Sequence, residues 1–248
     1  MYFLNDKVVV FGEHETNTLD QIKRSTASDV AIAGALCADG HLGYGMPIGG
    51  VAAYEGHISP SGVGYDISCG NKAVLLDADA TEVRANIKTI MDDIWQQISF
   101  GIGRKNNEPV EHPLFEDDPA WDIEIVKRQK KMAREQLGTV GSGNHYVDLF
   151  VDEQQRVWCG VHFGSRGLGH HLATHYIKMG GGKDGVNVEP VLLAENSQLG
   201  QEYLAAMQLA GRYAYAGRDW VCQKVARILG ASIVDEIHNH HNYCWLEN

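Results

Sequence analysis

Nowhere in this 248-residue chain do apolar residues run for the roughly 18 positions a membrane-spanning helix requires. The opening Met1-Tyr2-Phe3-Leu4-Asn5-Asp6 lacks the basic start and apolar core of a signal peptide. A cytoplasmic location with no membrane partner is therefore expected. Cysteine is scarce: Cys37, Cys69, Cys159, Cys222 and Cys244 are odd in number and form no C-x-x-C pair, which argues against a disulfide framework or a zinc ribbon. Basic residues are outnumbered, 21 Lys and Arg against 32 Asp and Glu, for a net charge of -11. That balance opposes non-specific coating of nucleic acid. It leaves room for a nucleic-acid substrate met by local basic residues or divalent cations, because charge is screened beyond roughly 8 to 10 Å in cell-like salt. No internal repeat and no low-complexity linker interrupt the chain. One α+β domain over residues 1–248, with mixed or antiparallel sheets flanked by helices, is the simplest organisation.

The local patterns fill in that outline. Val8 to Phe11 reads as a strand stopped by Gly12, and Thr18-Leu19-Asp20-Gln21 has capping-box spacing for a helix to about Ser28. Residues 34–72 read as loops and short strands, leading to a buried strand at Ala73 to Leu76. Val83, Ile87, Ile90, Met91, Ile94 and Ile98 recur at spacings of three and four and predict an amphipathic helix from Thr81. A loop over 101–118 precedes a helix from Pro119 to Leu137, whose Lys127, Arg128, Lys130, Lys131 and Arg134 form a solvated face or an RNA-backbone contact. Tyr146 to Phe150 and Val157 to Val161 predict a hairpin turning at Asp152 to Gln155. Helices follow from near Gly169 to Gly180 and, long or broken at Gly211 and Gly217, from Ser197 to Leu229.

What the chain has in excess is glycine, nine of them between residues 40 and 70. Glycine loses more backbone entropy on folding than any other residue, so such density points to positive φ or close approach to a ligand. Within it lies Gly64-Tyr65-Asp66-Ile67-Ser68-Cys69-Gly70, where Asp66 and Cys69 follow a tight turn at a spacing that lets both converge on one ion. A thiolate can also bridge two ions. Taken alone, the same pair reads first as a turn cap and a small buried thiol. Three further segments bring comparable groups: Gly141-Ser142-Gly143-Asn144-His145, Gly160-Val161-His162-Phe163-Gly164-Ser165-Arg166-Gly167, and His238-Asn239-His240-His241-Asn242. An arginine between glycines after a strand and before a helix suits a phosphate, and equally a surface turn. The histidine cluster, expected near a helix end, suits metal or an exposed pH-sensitive patch. His170, His171 and His175 read as support or surface.

Together these motifs resemble the RtcB family of GTP-dependent RNA-splicing ligases. The resemblance runs from about residue 18 to the end and is strongest at Asp39 to Gly50, Gly62 to Gly70, Leu137 to His145 and His162 to His170. It implies an RtcB-like core holding two Mn²⁺ ions bridged by Cys69, with Asp66 and His145 completing one site and His162 and His241 the other. His241 is chosen because His241-Asn242 matches the family's His-Asn pair. The resemblance further implies that Asn144 contacts nucleotide or phosphate, Arg166 the RNA phosphate, and that Asp39 supports the site. The implied reaction joins a 3′-phosphate or 2′,3′-cyclic phosphate RNA end to a 5′-hydroxyl end, with GTP consumed through a guanylylated histidine. The implied partners are RNA ends, from tRNA halves or damaged RNA, and GTP, with room for a protein activator.

Two positions depart from the family pattern. Asp148 stands where the family carries glutamate, altering an expected guanine or ribose contact, and Gly217 stands where it tends to carry asparagine. Family members also continue past residue 248, and the guanylylated histidine lies in that portion; none of the twelve histidines here matches it. Two alternatives follow: a metal-dependent phosphoesterase or nuclease on the same scaffold, or a metal-binding fragment without catalysis.

Overall fold

A computed structural model describes residues 1–183 and 185–247. The elements run β1 (Tyr2–Phe3), β2 (Val8–Val10), α1 (Thr16–Ser25), β3 (Ala31–His41), β4 (Ile48–Tyr54), β5 (His57–Ile58), α2 (Pro60–Val63), β6 (Gly70–Asp79) and α3 (Ala80–Gln97). They continue with α4 (Leu114–Asp117), a 3-10 turn (Pro119–Asp122), α5 (Glu124–Gln136), β7 (Tyr146–Val151), β8 (Arg156–Phe163), α6 (Arg166–Met179), β9 (Leu193–Ala194), α7 (Gln198–Leu229) and β10 (Ile233–His238). Parallel and antiparallel pairing both occur and helices accompany the sheets, so the architecture is α+β as expected. The chain divides into two compact units. The first comprises Met1–Tyr65, Leu172–Ala205 and the segment from Cys244; the second comprises Asp66–His171 and Ala206–Tyr243.

In the first unit the sheet order is β1-β2-β3-β4, with β2 and β3 parallel. Val8, Val10, Ile22 and Leu36 form its small core, with Leu4 and Leu19 packed against them. The expected capping box does not form: α1 starts at Thr16, and its N-cap Glu15 makes no side-chain cap bond. Gln21 instead fastens the glycine-rich loop, accepting from the Gly43 N–H at 2.9 Å and donating to the Gly43 carbonyl at 3.0 Å. Within residues 34–72, expected as loops and short strands, the chain up to Tyr54 holds most of the long pair β3 and β4. Their burial does not alternate, because register shifts interrupt the pairing.

The second unit is built on the antiparallel sheet β10-β6-β8-β7. Val74, Leu76, Val147, Val157, Val161 and Phe163 supply its apolar face, covered by Val83 and Ile94 of α3, by Ile98 just past its end, and by Val221 and Val225 of α7. The predicted spacing therefore points inward at Val83, Ile94 and Ile98, and Asp79 caps the helix by accepting from the N–H groups of Thr81 and Glu82. The hairpin forms as expected. Its turn is held by the Asp152 carboxylate, which accepts from the Gln154 and Arg156 N–H groups and from the Trp158 indole.

Three local expectations are corrected. The helix expected from Pro119 breaks at Ile123, because Asp118 closes a separate turn by accepting from the Ala120 N–H. The loop over 101–118 contains α4, anchored by buried Phe115 against Trp121 and Tyr213. No element was expected after Leu229, yet Ile233–His238 forms edge strand β10, so the histidine cluster follows a strand and not a helix end. The long helix α7 is continuous over 32 residues. On α5, Arg128 and Arg134 are tied to Glu124, Glu111 and Glu116, as befits a solvated face.

Candidate metal centre

Every expected site residue except Asp39 lies in the second unit; Asp39 belongs to β3 of the first. Cys69 sits at the end of a turn whose backbone closes from the Cys69 N–H to the Asp66 carbonyl at 3.0 Å. Strand pairing then aligns the remaining donors. His162 on β8 is paired with Asn71 on β6 and Tyr146 on β7. Beyond β10 the chain keeps following β6: the Asn239 N–H donates to the Asn71 carbonyl at 3.0 Å, the His241 N–H to the Cys69 carbonyl at 2.8 Å, and the Ser68 N–H to the Asn242 carbonyl at 3.0 Å. This approach requires glycine at position 70, where a Cβ would lie 2.2 Å from the Asn239 carbonyl oxygen. Gly164 is required for the same reason, since its Cβ would fall 2.5 Å from the Asp66 carboxylate.

The result is two donor triads, Asp66-Cys69-His145 and Cys69-His162-His241, each with its ligand atoms within 4.8 Å of one another. Cys69 belongs to both. Its Sγ lies 3.3 Å from His162 Nε2 and 3.7 Å from His145 Nε2, and His145 Nε2 lies 2.9 Å from Asp66 Oδ2. Tyr146 and His241 each stack on the His162 ring, at 5.7 and 5.5 Å. Asn144 Nδ2 is 3.5 Å from His162 Nε2, and Arg166 Nη1 is 3.5 Å from His145 Nδ1. Arg166 takes a positive φ of 54° at the start of α6. Asp148 is exposed on β7, on the same side of that strand as Tyr146. Within the histidine cluster His241 reaches the donors, while His240 hydrogen-bonds the Tyr215 hydroxyl and His238 stacks on the Tyr215 ring.

The protonation states suit a cation. Burial pushes the Asp66 carboxyl up, but the hydrogen bond and charge of His145, with help from Cys69 and Arg166, hold it below the ordinary range. Burial, with the charges of His241 and His145, lowers His162 to about 4, so its ring is neutral. Burial, reinforced by Asp66, pushes the Cys69 thiol up. The Asp66 carboxylate and the His162 imidazole are thus already in their binding forms, and a divalent ion displacing the Cys69 thiol proton and the proton that His145 Nε2 donates to Asp66 would complete the donor set. Thiolate and imidazole suit zinc or iron, and the carboxylate alone among the donors favours manganese.

Sequence reasoning missed Arg218, which is fully buried on α7. Its Nη1 donates to the carbonyls of Ser68 at 2.9 Å and Phe163 at 2.7 Å, and its Nε to His238 Nε2 at 2.8 Å. The available signal was a guanidinium in the small-residue and aromatic run Ala214-Tyr215-Ala216-Gly217-Arg218. His238 must be neutral to accept that bond. Burial first, then the charges of Arg218 and Lys72, lower it to about 3, against the opposing pull of Glu236. Unfolded histidine titrates near 6.5, so this contribution is complete above that pH and is lost as pH falls from about 6.5 toward about 3. For the metal-free protein, denaturant unfolding at pH 5 should therefore fall by about 1–2 kcal/mol relative to pH 7 more than in His238→Gln, whose amide oxygen accepts at every pH. Parallel pH profiles would contradict this.

The family model described as tRNA-splicing ligase RtcB matches residues 21–248. The chain belongs to the RtcB family. It is 30% identical over 264 residues to the tRNA-splicing ligase RtcB of Archaeoglobus fulgidus, covering 84% of this chain and 55% of that protein. With its counterpart in Thermococcus kodakarensis it shares 32% identity over 235 residues, 74% of this chain and 49% of the other. The RNA-splicing ligase RtcB homolog 2 of Entamoeba dispar is 28% identical over 258 residues, 82% and 49% respectively. The chain spans about half the length of these curated relatives.

Proposed function

We propose that the protein serves as an RNA ligase of the RtcB type, joining 3′-phosphate or 2′,3′-cyclic phosphate RNA ends to 5′-hydroxyl ends with GTP and two manganese ions. The observation that carries this reading is the sharing of Cys69 between two donor triads, with Asn144 beside His162 and the Arg166 guanidinium beside His145. Two such ions would stabilise charge on phosphoryl oxygens. Asp66, Cys69 and His145 hold one ion in this reading, and Cys69, His162 and His241 the other. Arg166 binds the RNA phosphate, Asn144 the nucleotide or a metal-bound phosphate, Asp148 the guanine or ribose, and Asp39 supports the site. The relatives' names favour tRNA halves as substrate, with damaged RNA and a protein activator in the same reading. We assign residues 1–248 to one RtcB-like catalytic domain and the protein to the cytoplasm; no helix among the described residues is long and apolar enough to cross a membrane.

An RNA oligonucleotide ending in 3′-phosphate should bind, with manganese present, about tenfold more tightly than one ending in 3′-hydroxyl, because charge-assisted hydrogen bonds contribute roughly 1.5–3 kcal/mol. Arg166→Ala should erase the difference. Equal binding of the two oligonucleotides sinks the assignment. Release of the 3′-phosphate or strand cleavage during the incubation would favour a phosphoesterase instead.

A further inference from the structure

Two imidazoles face Cys69, and each has a second ring nitrogen whose partner decides which nitrogen carries the proton. For His162 that partner is Asn71. We propose that Asn71, wired through Asn239, is a positioning residue that holds His162 as the Nδ1–H tautomer and so aims the Nε2 lone pair at the metal donors. The inference rests on the metal-binding reading of the two triads.

The wiring follows from groups with only one hydrogen-bonding role. The Asn71 backbone N–H can only donate, and it faces Asn239 Oδ1 at 3.4 Å, which fixes the Asn239 amide with its oxygen toward β6. That oxygen also meets Asn71 Nδ2 at 3.5 Å, so the Asn71 amide turns its own oxygen the other way. There Asn71 Oδ1 lies 2.9 Å from His162 Nδ1 and accepts from the Tyr146 hydroxyl at 3.3 Å. An acceptor at Nδ1 puts the proton on Nδ1. Nε2 is left with its lone pair facing Cys69 Sγ at 3.3 Å.

Strand register makes the arrangement precise in direction. Asn71, His162 and Tyr146 are direct cross-strand partners on β6, β8 and β7, so their side chains stand on one face of the sheet. The backbone bond from the Asn239 N–H to the Asn71 carbonyl locks the segment that carries His241 to the same strand. One asparagine pair therefore links the orientation of His162 to the placement of His241, the two imidazoles of one triad.

The test begins with the metal-free protein, labelled with ¹⁵N. Long-range ¹H–¹⁵N spectra at neutral pH should give His162 as the Nδ1–H tautomer in the parent and in Asn71→Asp, which keeps an acceptor. Asn71→Leu should shift it toward Nε2–H. Cobalt titration, followed through the thiolate-to-cobalt charge-transfer absorption, should show affinity falling about 10- to 100-fold in Asn71→Leu and recovering in Asn71→Asp. Asn71 is exposed, so the leucine variant should retain the parent's thermal unfolding, which is measured alongside. An Nδ1–H tautomer persisting in Asn71→Leu overturns the proposal, as does a changed tautomer with unchanged cobalt affinity. If the parent takes up no cobalt, the metal reading fails, while the tautomer comparison still decides the hydrogen-bond assignment.

Discussion

Cys69→Ala should lose both bound metal ions, whereas His241→Ala and His145→Ala should each lose one. The difference follows from position. Cys69 is the only donor common to the two triads, while His241 and His145 each serve a single one. Its sulfur is also poorly replaced, because Cys69 is 3% exposed while the donors around it range from buried His162 to exposed His241, leaving no other side chain of the triads at its place. Elemental analysis after dialysis against excess manganese checks the three variants against the parent. Cys69→Ala retaining one full equivalent would show that one triad holds its ion without the thiolate. The fold should tolerate the change. Removing one sulfur atom from a site where burial already disfavours the thiolate should alter metal-free stability by about 1 kcal/mol or less.

The same residue illustrates what a sequence can disclose. Asp66 and Cys69 are three apart, and one turn, closed from the Cys69 N–H to the Asp66 carbonyl, sets their spacing; such short-range geometry is legible in Gly64-Tyr65-Asp66-Ile67-Ser68-Cys69-Gly70 itself. The β7–β8 hairpin is legible for the same reason, since its turn residues are adjacent in the chain and Asp152 closes the loop locally. The buried face of α3 could be read from periodicity at Val83, Ile90 and Ile94, but the same spacing also marked Ile87 and Met91, which are exposed. By contrast, the arrival of His241 beside Cys69 depends on backbone bonds across most of the chain, and β10, which delivers it, shows a largely exposed edge-strand pattern with no apolar alternation to mark it. Strands β3 and β4 were obscured by small residues and by register shifts. The family resemblance selected His241 from its cluster. Strand pairing is the physical reason it lies among the donors.

Arg218→Met should cost about 3–5 kcal/mol of stability in the metal-free protein, more than His238→Gln or Cys69→Ala, because it strands several buried acceptors at once. The Ser68 and Phe163 carbonyls and His238 Nε2 all lose their donor. Each of these groups lies next to, or leads into, a proposed ligand: Ser68 precedes Cys69, Phe163 follows His162, and β10 with His238 leads to His241. A single guanidinium thus ties together the three segments of one triad, and its charge also opposes the upward push of burial on the Cys69 thiol. Lysine keeps the charge but not the planar fork, so Arg218→Lys should be intermediate in stability, able to satisfy one or two of the three directions. Urea unfolding measures the stability, and cobalt titration measures the site. The expected signature is coupling: Cys69-His162-His241 should weaken in both variants, in the order Met more than Lys, because the ligands remain but the backbone that spaces them is released. If Arg218→Met unfolds within about 1 kcal/mol of the parent and binds cobalt equally well, strand pairing alone sets the spacing of the triad.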